Sequence, residues 1–293
     1  MLDNPAVSKQ APHVPVGDAD TADPRHARRL AWLYEVALIL FGYAVYSYIR
    51  NLVTAREGEA VERARRLVDW EKALGIYHER ALNHFVAGHH WLAYVSNYYY
   101  ATMHFGVTIG VGIWVYRCHP EYARGLRSAW YGMNVAGLFG FAFFALAPPR
   151  LLPGSGFIDT VVQFHTWGSW GDQSVSSHSN QYAAMPSMHI GWSTWVAFAV
   201  VALASRRWVR VLGALYPFVT LFVIIGTGNH FVLDALGGLM ALAAGFLVVR
   251  LVTAKRVLPP LRRSAQATPG SSTREPRRCL RLRERAGSRP PRG

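Results

Sequence analysis

Charged residues are scarce in this chain of 293 residues: they make up 16% of it, and cysteine occurs only twice. A soluble globular protein usually carries about 25% charged residues, so the composition excludes that class. No cysteine accompanies the clustered histidines, whose spacing matches no compact zinc site; these are His78, His84, His89 and His90. Hydrophobic residues reach 51%. The composition therefore predicts a membrane protein without a zinc centre.

Long apolar runs alternate with polar segments. A helix needs roughly 20 residues to cross about 30 Å of hydrocarbon. Runs of this kind lie at about 30–49, 91–116, 128–147, 187–204, 209–227 and 229–251. We therefore expect an all-α, polytopic membrane protein, built as a six-transmembrane-helix bundle. Residues 51–90 mix acidic, basic and apolar residues at helical spacing, which predicts an amphipathic surface helix between the first and second spans.

The short basic loops give an orientation, because Lys and Arg mark the cytoplasmic side. They lie before the first span, between the second and third, between the fourth and fifth, and after the sixth. We expect a multi-pass plasma-membrane protein with cytoplasmic termini and with residues 148–186 and the loop near 228 outside. The catalytic domain would cover 25–252, between a disordered segment at 1–24 and a tail at 253–293.

The formal net charge of +14 is concentrated in the tail at 253–293. Basic clusters beside a membrane span attract anionic head groups. We therefore expect anionic lipids as partners of the tail and no nucleic acid. The alternative is a disordered tail that only satisfies the positive-inside rule.

Two motifs stand where apolar runs begin. His230 and Asp234 are four residues apart, so in a helix they would share one face, where the carboxylate can fix the imidazole tautomer. Pro186 is favoured in a first helical turn, which predicts that Ser187 and His189 lie at an anion-attracting helix N-terminus. Both helices would enter from the outer face, so their N-termini would converge on one site.

These motifs resemble the type 2 phosphatidic-acid phosphatase superfamily, and within it the inositol-phosphorylceramide-synthase-like branch. Gly237-Gly238 follows the aspartate, and Ala147-Pro148-Pro149-Arg150 stands upstream where that branch has a Pro-Pro motif. The resemblance implies that His230 attacks phosphorus, that Asp234 orients it, and that His189 protonates the leaving oxygen. It implies no metal and no cofactor.

The chain departs from the phosphatase branch at two cationic positions, which are occupied by Phe143 and Ile224. The phosphate ligands expected in their place are Arg150, Ser187, Asn229 and Thr227. The loss of two cations favours a transferase over a simple phosphatase.

One residue of the second apolar run also carries the resemblance. His104 lies within this run and resembles a His-Phe motif of the synthase branch, so we expect it, together with Tyr100, to line the substrate site.

The function expected from these features is phosphotransfer on a lipid phosphate ester, with a phosphoinositol or related head group passing through a phosphohistidine. The partners would be a membrane phospholipid and an alcohol or water acceptor. A lipid-phosphate or polyprenyl-diphosphate phosphatase is the alternative. A second alternative is a non-enzymatic transporter with an intramembrane His/Asp proton relay.

Overall fold

The computed structural model describes residues 57–166, 182–253 and 257–259, together with scattered positions between 33 and 48. The chain divides into two compact units, residues 1–44 and 45–293. The positions described in the first unit are helical. Both histidine motifs lie in the second unit. The expectations for the segment at 1–24 and for the tail at 253–293, apart from residues 253 and 257–259 of the tail, fall outside the described residues.

Helices build the described part of the second unit. They are α1 Glu57–Ala73, α2 Glu79–Ala87, α3 His90–Cys118, α4 Pro120–Phe143, α5 Thr160–Gln163, α6 Met188–Leu203, α7 Arg207–Gly226 and α8 Val232–Thr253. A 3-10 turn covers Pro149–Leu151. Within the described ranges there is no strand, and Leu146 and Ala183 form an isolated bridge. The expected all-helical class is confirmed for these residues.

Two helices, α7 and α8, are long and apolar enough to cross a membrane, and α6 is a shorter apolar helix. Helices α3 and α4, with 29 and 24 residues, include most of the spans expected at 91–116 and 128–147. Large apolar side chains are exposed on α7 and α8, among them Leu212, Phe218, Met240, Leu247 and Val252. Such surfaces suit contact with lipid tails. The helices indicate membrane association, and the count of six spans stays a prediction.

The connection between α3 and α4 is shorter than expected. Helix α3 ends at Cys118 and α4 begins at Pro120, so His119 alone separates them. Arg124 and Arg127, which fall in the basic loop expected between the apolar runs at 91–116 and 128–147, lie in the first turns of α4. Proline at the first helical position explains why α4 can start so early.

Residues 51–90 do not form one amphipathic helix, so that expectation is wrong for the described part of the segment. Helix α1 ends at Ala73 and α2 begins at Glu79. Between them Gly75 has a φ of 70°, a conformation that glycine adopts at low cost. The N–H of Ile76 donates to Glu71 O, and the N–H of Gly75 donates to Lys72 O. This bonding pattern ends a helix in the Schellman manner.

Helix α1 packs on the segment that follows α4. It buries Ala60, Ala64 and Leu67 in a cluster with Leu146 and Phe231. Backbone contact reinforces the packing, because the N–H of residue 147 donates to the carbonyl of Ala60 at 3.2 Å. Helix α1 therefore covers the segment before the first motif and, through Phe231, part of the second motif.

The first turns of α6 and α8 meet closely. The N–H of Ser187 donates to the backbone carbonyl of Asp234 at 2.9 Å. A Cβ added at Gly238 would overlap the carbonyl oxygen of Ser187. Glycine at position 238 thus permits the contact, and the two helix N-termini converge as expected.

Gly238→Ala should destabilise the protein, because the added methyl group would overlap backbone atoms, which cannot rotate away as a side chain can. We expect a loss of about 1–3 kcal/mol, the usual cost of overpacking. Gly110→Ala is the matched control in α3, where no atom lies within 4 Å of an added Cβ. Thermal unfolding in detergent measures both variants, and equal unfolding midpoints would contradict the close crossing.

Candidate active site

The N-terminus of α6 presents a buried hydroxyl. Ser187 is the N-cap of α6 and does not cap it with its side chain. It is 0% exposed, and its hydroxyl has no hydrogen-bond partner in the described part of the chain. The first N–H groups of a helix have no intrahelical acceptor. Ser187 and the first turn of α6 therefore offer donors to an anion.

His230 lies in the turn between α7 and α8. The N–H groups of Asn229 and His230 both donate to the carbonyl of Ile224, and Gly228 has a φ of 72°. Helix α8 begins two residues later, at Val232. The expectation that His230 and Asp234 share a helical face is therefore wrong for His230, because the positive φ of Gly228 turns the chain before the helix starts.

His230 and Asp234 are nevertheless paired. His230 Nδ1 lies 3.3 Å from Asp234 Oδ2, which also accepts the N–H of Phe231 at 2.9 Å. The two residues are 4% and 0% exposed. A proton on Nδ1 that faces the carboxylate leaves the lone pair on Nε2. This arrangement suits Nε2 for nucleophilic attack.

Three aromatic rings surround His189. Tyr100 stacks on it with ring centroids 4.3 Å apart, and the His104 ring lies at the same distance. The His230 ring is 5.6 Å away. Helix α3 thus supplies Tyr100 and His104 to the wall around His189. The structure brings together the two histidine motifs and both residues expected to line the substrate.

Arg150 reaches the same turn from the 3-10 segment after α4. Its Nε donates to Asn229 Oδ1 at 2.9 Å, and its Nη1 donates to Asp159 Oδ2 at 3.0 Å. Its backbone N–H donates to the carbonyl of Gly228. The Arg150 side chain is 8% exposed. The guanidinium is therefore fixed beside the residues that precede His230.

Thr227 and Asn229 are engaged within the protein. The Thr227 hydroxyl donates to the carbonyl of Val223 and accepts from Asn229 Nδ2, both at 2.8 Å. Asn229 Oδ1 accepts from Arg150. The two side chains thus link the end of α7 to Arg150, and their binding of phosphate stays a prediction.

Asp159 joins the site, although the sequence patterns did not single it out. Its Oδ2 accepts from Arg150, and its Oδ1 accepts from the N–H groups of Val161 and Val162, which makes it the N-cap of α5. An aspartate before a short apolar stretch is a recognisable N-cap signal. Its pairing with Arg150 depends on tertiary structure.

Asn83 of α2 holds this loop in place. Its Oδ1 accepts from the N–H of Ile158, and its Nδ2 donates to the carbonyls of Ile158 and Gly226. Asn83 is fully buried. One side chain thus joins the residue before Asp159 to the end of α7.

Two glutamates outside the motifs occupy the N-terminus of α8. Val232 N–H donates to Glu79 Oε1 at 3.1 Å, and Leu233 N–H donates to Glu71 Oε1 at 2.8 Å. These donors are therefore not available to an anion. Of the two converging helix N-termini, that of α6 is the one better suited to phosphate.

The comparisons with known proteins agree with this architecture. The family described as the PAP2 superfamily matches residues 65–248, a range that begins within α1, ends within α8 and contains every residue of the site. No curated protein matches the chain, and no solved structure matches it. Since the family match covers more than half of the chain, the protein belongs to the PAP2 superfamily.

Proposed function

We propose that this protein is a membrane-embedded phosphotransferase that moves a phosphoinositol or related head group from a phospholipid to an alcohol. Membership of the PAP2 superfamily supports an enzyme that acts on phosphate esters. The observation that carries the proposal is the cluster in which the half-buried His189 faces the buried His230–Asp234 pair, with histidine ring centroids 5.6 Å apart.

In the first step, His230 Nε2 attacks phosphorus in line with the ester oxygen of the lipid. The new N–P bond forms as the P–O bond breaks, and His189 donates a proton to the departing lipid alkoxide. Asp234 stabilises the positive charge that develops on the His230 ring. The product of this step is a phosphohistidine that carries the head group.

In the second step, an acceptor hydroxyl attacks the phosphohistidine. His189, now neutral, takes the hydroxyl proton as the new P–O bond forms, and the N–P bond to His230 breaks. Both histidines return to their starting protonation states. Water in place of the alcohol would give hydrolysis by the same steps.

Phosphate binding rests on few groups. Ser187 and the first N–H groups of α6 would bind two of the phosphate oxygens, and Arg150 a third. Arg150 shares its charge with Asp159, and two family cations are replaced by Phe143 and Ile224. The small number of cations at the site favours a transferase over a phosphatase. The burial of His230 and Ser187 also favours transfer, because it limits the access of water to the phosphohistidine.

A direct test uses purified protein with a short-chain phosphatidylinositol labelled at phosphorus and an excess of a lipid alcohol. We expect the label to appear in a new phospholipid and, in rapidly quenched samples, on the protein in an acid-labile form. Release of inorganic phosphate from a lipid phosphate or polyprenyl diphosphate, with no labelled phospholipid formed from phosphatidylinositol at any alcohol concentration, would assign the protein to the phosphatase alternative.

We also propose six membrane spans with the site at the outer face. Ser187 lies directly before α6 and Ser205 two residues after its end, so the two serines mark opposite ends of a 16-residue helix, which is about 24 Å long. In a chain without its native cysteines, Pro153→Cys should react with an impermeant maleimide in intact cells. Ser205→Cys should react only after the membrane is opened. The reverse pattern would place the site in the cytoplasm.

His230→Ala should reduce turnover to background, because the nucleophile is lost. Asp234→Asn should retain more activity, because the imidazole remains and only its orientation and charge balance suffer. His89→Ala is the control, since this exposed histidine lies between α2 and α3 and its ring bonds to the nearby carbonyl of Phe85. Turnover measured on one donor compares the three variants, and full activity in His230→Ala would refute the proposed nucleophile.

Arg150→Lys should lower kcat/KM at least roughly tenfold, which is about 1.4 kcal/mol. The guanidinium holds Asn229 and Asp159 with two different nitrogens, and one ammonium cannot reproduce this geometry. Vanadate affinity should fall in parallel, because vanadate mimics five-coordinate phosphorus. Arg66→Lys, at an exposed pair with Glu62, is the control. Unchanged kinetics in Arg150→Lys and Arg150→Ala would exclude a phosphate ligand at this position.

A further inference from the structure

Glu71 and Glu79 are unusual because they are carboxyls buried together outside the proposed catalytic residues. Glu71 lies near the end of α1 and Glu79 begins α2, and their exposed fractions are 0% and 1%. Each uses Oε1 to accept a backbone N–H from the first turn of α8. Burial of an ionised carboxylate is costly unless other groups compensate its charge.

The second oxygen of each carboxyl indicates how the pair is satisfied. Neither Glu71 Oε2 nor Glu79 Oε2 receives a donor from the residues that the structure describes. The two carboxyls lie within hydrogen-bonding contact of each other. One proton on either carboxyl would supply the missing donor and remove the repulsion between two buried negative charges.

We propose that Glu71 and Glu79 form a proton-sharing carboxyl pair that positions the His230–Asp234 pair by clamping the first turn of α8. The inference rests on the proposed function of His230 and assigns a positioning role, since neither glutamate touches the reacting atoms. The clamped residues, Val232 and Leu233, lie between His230 and Asp234 in the chain. A shift of this turn would change the His230–Asp234 geometry directly.

The surroundings of the pair support the sharing of a proton. Asp234 of α8 and Tyr77 in the turn between α1 and α2 face the pair, and neither is positively charged. The cations near this turn, Lys72 and Arg80, act on Tyr77. Burial, the hydrogen bond with Glu79 and the neighbouring acids together raise the pKa of Glu71 from its ordinary 4.5 to about 9. The pair then carries one negative charge at neutral pH, which limits repulsion of an anionic substrate.

The pKa shift fixes the direction of the pH dependence. Between pH 4.5 and 9 the folded protein keeps a proton that the unfolded chain has lost. The stabilisation is therefore complete below pH 4.5, declines as pH rises, and is lost as pH passes through about 9. Ionisation of both carboxyls would also release the clamp, so kcat should fall over the upper end of this range.

The experiment compares wild type with Glu71→Gln and Glu71→Ala, with Glu62→Gln as a matched control at an exposed position of α1. Thermal unfolding in detergent and kcat and KM on the labelled donor are measured from pH 6 to 10. Tyr77→Phe checks that the phenol does not cause the alkaline change.

We expect Glu71→Gln to keep kcat at pH 7 within about threefold and to lose the alkaline fall, because the amide N–H replaces the shared proton and does not dissociate. Glu71→Ala should lower kcat at least roughly tenfold at every pH. KM should be nearly unchanged, because the clamp positions His230 and contacts none of the groups proposed to bind phosphate. Glu62→Gln and Tyr77→Phe should follow wild type.

Two results would overturn the proposal. One is a Glu71→Gln profile of unfolding and kcat that follows wild type through pH 9, which would mean that no shared proton titrates there. The other is a Glu71→Ala variant with wild-type kcat, which would remove the positioning role. If the wild-type protein turns over no phosphate ester, the proposed function is refuted. The pH dependence of unfolding, which needs no substrate, then tests whether Glu71 and Glu79 share a proton.

Discussion

The site depends on the short turn between α7 and α8. The carbonyl of Ile224 accepts two successive N–H groups there, and Gly228 takes a positive φ that reverses the chain. Arg150 binds the turn from one side through the carbonyl of Gly228. On the other side, Ser187 N–H binds the carbonyl of Asp234 and so ties α6 to the first turn of α8. The position of His230 follows from these backbone contacts more than from its own side-chain bonds.

Charge is the second constraint, because a site proposed to bind phosphate is surrounded by acids. Asp159 neutralises Arg150, and Asp234 faces His230. The N–H groups at the start of α8 are held by Glu71 and Glu79. In the proposed site, affinity for an anion would then come mainly from the α6 N-terminus, an imidazolium and the Ser187 hydroxyl, which has no hydrogen-bond partner among the described residues, with Arg150 adding a partly neutralised charge. Such a site would bind phosphate less strongly than a cluster of arginines would. Weak binding favours turnover, because a free phosphate product is not retained.

Local sequence patterns were enough to predict much of the helical fold and several contacts of the site. The apolar runs predicted helices, Pro186 before Ser187 predicted the start of α6, and the spacing of His230 and Asp234 predicted their contact. The gathering of Tyr100, His104, Arg150 and both motifs followed from the expected topology and the family resemblance. Local patterns failed where backbone geometry overrides periodicity: Gly75 divides the amphipathic segment, and Gly228 keeps His230 out of α8.

The residues that the sequence could not single out share one physical property. Asn83, Glu71 and Glu79 lie in a segment whose composition resembles an exposed amphipathic surface, yet all three are buried. Their partners are backbone groups of distant segments: Ile158 and Gly226 for Asn83, and the start of α8 for the glutamates. A backbone N–H or carbonyl is present at nearly every residue, so the sequence does not show which of these groups lacks a backbone partner and needs a hydrogen bond from a side chain. The polar side chains of α1 and α2 therefore act as supports for the site, because they complete hydrogen bonds that the turn and the helix start cannot complete alone.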